Sequence, residues 1–92
     1  MDQEAVAVFK ALADATRLEI LKLLARRGEM SCRALSARLP LTQPTLSHHF
    51  RKLVAAGILR VRKSGVQQFY SIDLTLLKQL GINVEKLTAG NR

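Results

Sequence analysis

Apolar residues recur at helical spacing in the first part of the chain and predict two helices. Gln3–Leu12 forms the first, with its apolar residues along one face. The second begins after Asp14 or Thr16, either of which can cap it, and it stops at Gly28, a residue that tolerates left-handed backbone after a helix. Leucine and isoleucine cover most of its circumference, which predicts that this helix is central and largely buried.

Two further helices, separated by a tight turn, follow in the pattern. Ser31 can cap a short helix over residues 32–39, which Pro40 ends because proline cannot continue the hydrogen-bond ladder. Thr42 can cap the next helix, and Gly57 ends it. The apolar stripe of this fourth helix, at spacings of four, three and one residues, consists of Leu46, Phe50, Leu53 and Val54.

The pattern then changes from helical spacing to two strand-like runs, residues 58–63 and Gln67–Ile72, with the hairpin signal Ser64-Gly65 between them. A last helix begins at Asp73, and Gly81 falls inside its apolar pattern, where the helix is expected to bend or break. The chain is therefore predicted to be one domain over residues 1–92. It is mainly α with a small antiparallel β-hairpin, in the element order of a winged helix-turn-helix.

Charge is distributed unevenly along this pattern. The chain has 15 Lys and Arg against 7 Asp and Glu, a formal net charge of +8, and all seven acidic residues lie outside residues 30–72. An acid-free basic segment predicts a polyanionic partner, nucleic acid rather than a membrane because no basic amphipathic helix accompanies it. The seven basic residues of the segment are Arg33, Arg38, Arg51, Lys52, Arg60, Arg62 and Lys63.

The polar face of the fourth helix is predicted to read DNA. On a helical wheel His48 lies opposite the apolar stripe, and Gln43 lies in the first turn, the part of a recognition helix that meets base edges. Glutamine pairs with adenine, histidine donates to guanine, and the basic residues further along suit phosphates. His49 either flanks the core or reaches a phosphate. From this helix the predicted DNA-binding residues are Thr42, Gln43, Thr45, Ser47, His48, His49, Arg51 and Lys52.

The hairpin is predicted to act as a wing on the DNA backbone or in a minor groove. Alternation places Arg60 and Arg62 on one face, while Leu59 and Val61 pack inward. The residues of the hairpin predicted to contact DNA are Arg60, Arg62, Lys63 and Gln67.

Other classes of function find little support in the chain. It has no Gly-rich phosphate loop, no paired carboxylates in an expected cleft and no Ser/His/Asp spacing, so neither an enzyme nor a cofactor is predicted. The adjacent side chains of His48 and His49 diverge by about 100° on a helix and do not converge on one metal ion. With one cysteine, no apolar run of bilayer length and no signal peptide, the chain is expected to be cytoplasmic.

Two stretches resemble the ArsR family of regulators. Residues 12–21 are similar to that family's opening Leu-x-Asp-Pro-Thr-Arg-Leu-x-Ile-Leu, with Ala15 in place of proline, and residues 42–50 are similar to its recognition helix Ser-Gln-Pro-Thr-x-Ser-x-His-Leu. The resemblance, which spans about residues 9–73, implies a homodimeric repressor that binds an inverted repeat in double-stranded DNA. It places the dimer interface on the first and last helices. The interface residues expected there are Val6, Phe9, Leu77, Leu80, Val84 and Leu87.

The chain departs from the family's metal box, Glu-Leu-Cys-Val-Cys-Asp-Leu, on the third helix. The two ligand positions hold Ser31 and Arg33, and no histidine follows Ile72, where a second family site would need one. The resemblance therefore implies a metal-independent repressor, relieved by an unknown inducer or a protein partner, or acting on its own promoter.

Two alternatives to this interpretation remain open. Cys32 is predicted to point inward as a small buried side chain in line with Leu35 and Leu39, but an exposed thiol there would support a redox-responsive repressor. The basic surface would also suit a winged-helix module that binds an acidic protein.

Overall fold

The computed structural model describes residues 2–89, and its elements follow the predicted order. The helices are α1 (Gln3–Leu12), α2 (Ala15–Arg27), α3 (Cys32–Arg38), α4 (Gln43–Ala55), α5 (Leu74–Gln79) and α6 (Val84–Thr88). The strands are β1 (Met30–Ser31), β2 (Leu59–Ser64) and β3 (Gln67–Ile72). The prediction of a mainly helical winged helix-turn-helix is confirmed. No helix in the described part of the chain is both long and apolar enough to cross a bilayer.

Polar side chains at the predicted positions begin the helices. The Asp14 carboxylate accepts a hydrogen bond of 3.0 Å from the backbone N–H of Arg17, so Asp14 and not Thr16 caps α2. Ser31, Thr42 and Asp73 cap α3, α4 and α5 in the same manner. Each cap satisfies an N–H that has no partner inside its helix, which is why these short helices begin where they do.

The core is built around α2, as its apolar circumference predicts. Ile20 and Leu21 are fully buried, and the stripe of α4 packs against the same cluster, although Val54 is only half-buried. α2 contacts α1, α4, α6 and β3, so the helix-turn-helix and the hairpin are mounted on one central helix.

A three-stranded antiparallel sheet replaces the predicted two-stranded hairpin. Its order is β1-β3-β2, and β1 pairs Met30 with Tyr70 and Ser31 with Phe69. The hairpin is present, but its two-residue loop consists of Gly65 and Val66 instead of the predicted Ser64-Gly65, because Ser64 pairs with Gln67. Gly65 has a φ of +61° at the first position of the loop. That is the position of a type II′ turn that favours glycine.

In the C-terminal part of the chain, two residues predicted at the dimer interface are buried in the core instead. Gly81, with a φ of +76°, separates α5 from α6, so the apolar pattern does not continue along one helix face. Leu77 is 0% exposed and Val84 is 8% exposed, because both pack into the core of their own chain. Assigning these two residues to a dimer surface was therefore wrong.

The cap at Asp14 gives a testable stability effect. Asp14→Ala is expected to lower the free energy of unfolding by about 1 kcal/mol at pH 7, the usual cost of losing an N-cap. The hydrogen bond from the N–H of Arg17 holds the pKa of Asp14 below its usual 3.8. Because the pKa of Asp14 is lower in the folded protein than in the unfolded chain, its carboxylate stabilises the fold fully at a pH above the unfolded-state pKa. This stabilisation is lost as the pH falls through the folded-state pKa.

The difference in the free energy of unfolding between Asp14→Ala and the parent protein should therefore be smaller at pH 3 than at pH 7. Urea unfolding followed by circular dichroism at pH 7 and pH 3 measures it. Glu19→Ala is the control, because Glu19 lies on the same helix, is exposed, and has no ion pair among residues 2–89. Equal stability of Asp14→Ala and the parent at pH 7 would contradict the assignment of the cap.

Candidate nucleic-acid interface

α4 presents a continuous polar face to solvent. Its buried stripe of Leu46, Phe50 and Leu53 faces the core, and the opposite side is exposed, as the helical wheel predicts. Ser47 is half-buried at the edge of this face. The predicted DNA-binding residues that lie exposed at the start and along the outer side of the helix are Thr42, Gln43, Thr45, His48, Arg51 and Lys52.

The first turn of α4 is tied to α3 by side chains. The amide of Gln43 donates to the Ser36 hydroxyl at 3.3 Å, and that hydroxyl donates to the Cys32 carbonyl at 2.9 Å. The Thr42 hydroxyl donates to the Thr45 hydroxyl at 2.9 Å. Of these three hydrogen bonds, the one from Gln43 to Ser36 connects the two helices of the helix-turn-helix across the turn. Ser36 is not among the residues predicted from the sequence, since a serine inside a short helix gives no signal of its own.

His49 lies away from the polar face, which corrects its prediction as a DNA-binding residue. Its side chain is 12% exposed, and its Nδ1 lies 3.9 Å from an Asp14 carboxylate oxygen. No hydrogen-bond partner for that buried nitrogen is found among residues 2–89. A helix turns by about 100° per residue, so the neighbour of outward-facing His48 points toward the start of α2. The low exposure of His49 favours the alternative that it flanks the core.

The wing carries polar residues at its tip. Lys63 and Gln67 are exposed there, as predicted, and Val66 between the strands is fully exposed. Leu59 packs inward, but Val61 remains exposed, because β2 extends beyond the body of the protein after its first residue. The prediction that both apolar residues of this strand pack inward therefore holds for one of them.

Arg62 is engaged within the chain. Its Nη2 and Nε donate to the two carboxylate oxygens of Glu29 at 2.7 and 3.0 Å, and its guanidinium carbon lies 4.5 Å from the centre of the Phe69 ring. The hydrogen bonds lower the pKa of the Glu29 carboxyl and raise the pKa of the guanidinium. Both side chains nevertheless remain accessible, Arg62 at 56% and Glu29 at 37% exposure.

Arg60 is also paired with an acidic residue. Its Nε lies 3.3 Å from an Asp73 carboxylate oxygen. The N–H of Leu76, which Asp73 caps, holds the pKa of this carboxyl below its usual value, and Arg60 lowers it further. Residues 30–72 contain no acidic residue, but Glu29 and Asp73 at the two ends of this segment bind its wing arginines in the folded protein.

Other basic residues of the segment remain available. Within residues 2–89, those with no acidic partner within 4 Å are Arg33, Arg38, Arg51, Lys52 and Lys63.

Apolar side chains on α1 and at the end of α5 are exposed or half-buried. Phe9 is 42% exposed, while Val6 and Leu80 are half-buried. A surface cavity of about 660 Å³ lies between the start of α1 and α5, and its apolar lining includes Val8 and Leu76. Leu87 on α6 is exposed at 36%.

The two positions aligned with the ligands of the metal box, Ser31 and Arg33, have other roles in this structure. The Ser31 hydroxyl accepts the N–H of Ala34 at 3.0 Å as the cap of α3, and Arg33 is exposed. Cys32 is half-buried and packs against the core, less enclosed than the sequence predicts. Within the part of the chain that the structure describes, no group of three or more His, Cys, Asp or Glu could hold a metal ion.

Comparison with known proteins gives consistent matches. A family model described as a helix-turn-helix domain matches residues 12–62. An HTH-type transcriptional regulator of Methanocaldococcus jannaschii is 42% identical over 92% of this chain and 96% of its own length. The arsenical resistance operon repressor of Staphylococcus aureus is 33% identical over 98% of this chain and 86% of its own.

Solved structures agree with these relatives. HlyU from Vibrio cholerae superposes with a TM-score of 0.80 at 35% identity and covers 97% of this chain and 96% of its own. A homodimeric winged helix-turn-helix DNA-binding domain from Mycobacterium bovis, described as a possible ArsR-family regulator, superposes with a TM-score of 0.71 at 28% identity. It covers 97% of this chain and 86% of its own.

Proposed function

The chain belongs to the ArsR family of winged helix-turn-helix transcriptional regulators, and from that premise we propose that it is a dimeric repressor which reads an inverted repeat with α4. The observation that carries the proposal is the exposed polar face of α4, opposite a fully buried apolar stripe. A repressor acts on chromosomal DNA, which supports the expected cytoplasmic location. The proposal includes no catalytic activity.

The side chains divide into those that read bases and those that contact phosphates. Gln43, Thr45 and His48 are exposed on the outer side of the first two turns of α4, where a recognition helix meets base edges in the major groove. Lys52 and Lys63 have no acidic partner within 4 Å among residues 2–89 and suit phosphate contacts, which position the protein without reading sequence.

This division predicts different effects for two substitutions. His48→Ala should cost about 1–3 kcal/mol on the best site and much less on random duplex, because it removes a base contact. Lys52→Ala should weaken binding to the best site and to random duplex about equally, since it removes a phosphate contact. It should also reduce the salt dependence of the affinity. Sites are first selected from random duplex DNA, and affinities are then measured by fluorescence anisotropy at several salt concentrations.

Unchanged selectivity in His48→Ala would contradict the assignment of α4. Wild-type binding that is indifferent to both sequence and salt would favour the alternative of a protein-interaction module.

Dimerisation is supported by the homodimeric relative and by the apolar surface on α1 and α5. The residues of the predicted interface that stay accessible are Val6, Phe9, Leu80 and Leu87. A partner that covers Phe9 and the cavity beside α1 would bury apolar surface that one small domain leaves in water.

Phe9→Asp is expected to convert the dimer into monomers, because it would place an unpaired charge in a buried interface. Sedimentation velocity at micromolar concentration measures the effect. Val66→Asp introduces the same charge at an exposed apolar residue on the wing tip and should leave the sedimentation coefficient unchanged. A Phe9→Asp protein that still sediments as a dimer would move the interface elsewhere.

Metal independence is supported by the residues in the family's ligand positions. The Ser31 hydroxyl is used in a helix cap, and the cation of Arg33 would repel a metal ion. The names of some relatives refer to arsenical or cadmium resistance. This chain has serine and arginine at the two ligand positions of the metal box that the family resemblance describes. Relief of repression is then assigned to another small molecule or to a protein partner.

Purified protein is expected to contain no stoichiometric metal, and its operator affinity should not respond to zinc, cadmium or arsenite, because too few soft ligands converge. Elemental analysis and anisotropy titrations measure this, with Cys32→Ser as the matched variant. A loss of affinity of about ten-fold at micromolar ion that disappears in Cys32→Ser would overturn metal independence. A similar loss caused by peroxide would favour the redox-responsive alternative.

A further inference from the structure

The contact between Arg62 and Glu29 spans the whole width of the sheet. Arg62 lies on β2 at one edge, Phe69 lies opposite it on the central strand β3, and Glu29 directly precedes β1 at the other edge. Neighbouring strands are about 4.8 Å apart, so the two edges are separated by roughly 10 Å. The long arginine side chain crosses that distance over the ring of Phe69, which accounts for the 4.5 Å contact with the ring centre.

The carboxylate neutralises the guanidinium and still leaves it reachable. A guanidinium has five N–H donors, and two of those of Arg62 bind Glu29. The remaining donors lie on a side chain that is 56% exposed. A DNA phosphate that approached them would also approach the Glu29 carboxylate and be repelled by it. While the pair is intact, Arg62 therefore contributes little attraction for DNA.

We propose that Glu29 is a positioning residue that withholds Arg62 from DNA, and that operator binding exchanges the Glu29 carboxylate for a backbone phosphate. The inference rests on the proposed contact between the wing and DNA. An accessible ion pair contributes little stability, so the exchange is energetically small. Because attraction to phosphates dominates binding to random sequence, Glu29 weakens non-specific binding more than it weakens reading by α4.

Glu29→Gln tests the proposal, with Glu19→Gln as the matched control. Both substitutions remove one negative charge, but Glu19 has no ion pair among residues 2–89. Glu29→Gln is expected to raise affinity for random duplex about three- to five-fold beyond the control, the upper range of what an exposed pair contributes. For binding to random duplex, the plot of log association constant against log salt concentration should steepen by about 0.9, the value for one additional phosphate contact.

Both effects should vanish when Arg62→Gln is also present, since no guanidinium then remains to be released. A general change in surface charge would persist in that background, and a purely structural role would leave the salt slope unchanged. Equal behaviour of Glu29→Gln and Glu19→Gln would overturn the proposal, as would weaker binding by Glu29→Gln or an effect that survives Arg62→Gln. If the wild-type protein binds its selected operator, these results overturn the role of Glu29 alone. If it fails to bind any duplex, the proposed repressor function falls with it.

Discussion

The contact between Phe50 and Tyr70 fixes the recognition helix relative to the wing. Their ring centroids are 4.8 Å apart, and both side chains are buried. Tyr70 lies in the central strand, where it pairs with Met30 of β1 on one side and Val61 of β2 on the other. Tyr70 therefore contacts α4 and pairs with both outer strands, one of which leads into α3. DNA grooves have fixed spacing, so a protein that uses two elements at once requires such a rigid junction.

Local features of the fold are predictable from the sequence, because their causes lie within a few residues. The bounds of α1 match the apolar spacing, and the caps at Ser31 and Asp73 act on N–H groups three residues away. β1 is not predictable in this way. Two residues have no period to detect, and Met30–Ser31 becomes a strand only because β3 lies beside it. Tertiary packing also buries Leu77, which the apolar spacing alone does not distinguish from a residue on a dimer surface.

In the candidate site too, features with local causes are predictable from the sequence, and features that depend on distant contacts are not. The outward direction of His48 follows from a helical wheel, and the exposed wing tip follows from a two-residue hairpin. Which cations remain available to DNA does not follow, since Glu29 and Arg62 lie 33 residues apart in the chain. They meet because the unpredicted β1 brings Glu29 alongside the sheet. A charge map along the sequence therefore overestimates the positive charge that the wing presents.

The two wing arginines differ in how firmly their partners are held. One oxygen of Asp73 accepts the N–H of Leu76 and caps α5, while its other oxygen faces Arg60. That carboxylate is anchored to the backbone whether or not Arg60 stays. Glu29 has no such anchor in the described part of the chain: both of its oxygens accept from Arg62. An approaching phosphate must therefore compete with a fixed carboxylate at Arg60 but with a movable one at Arg62. The flexible partner is the one from which an arginine can be exchanged without disturbing a helix end.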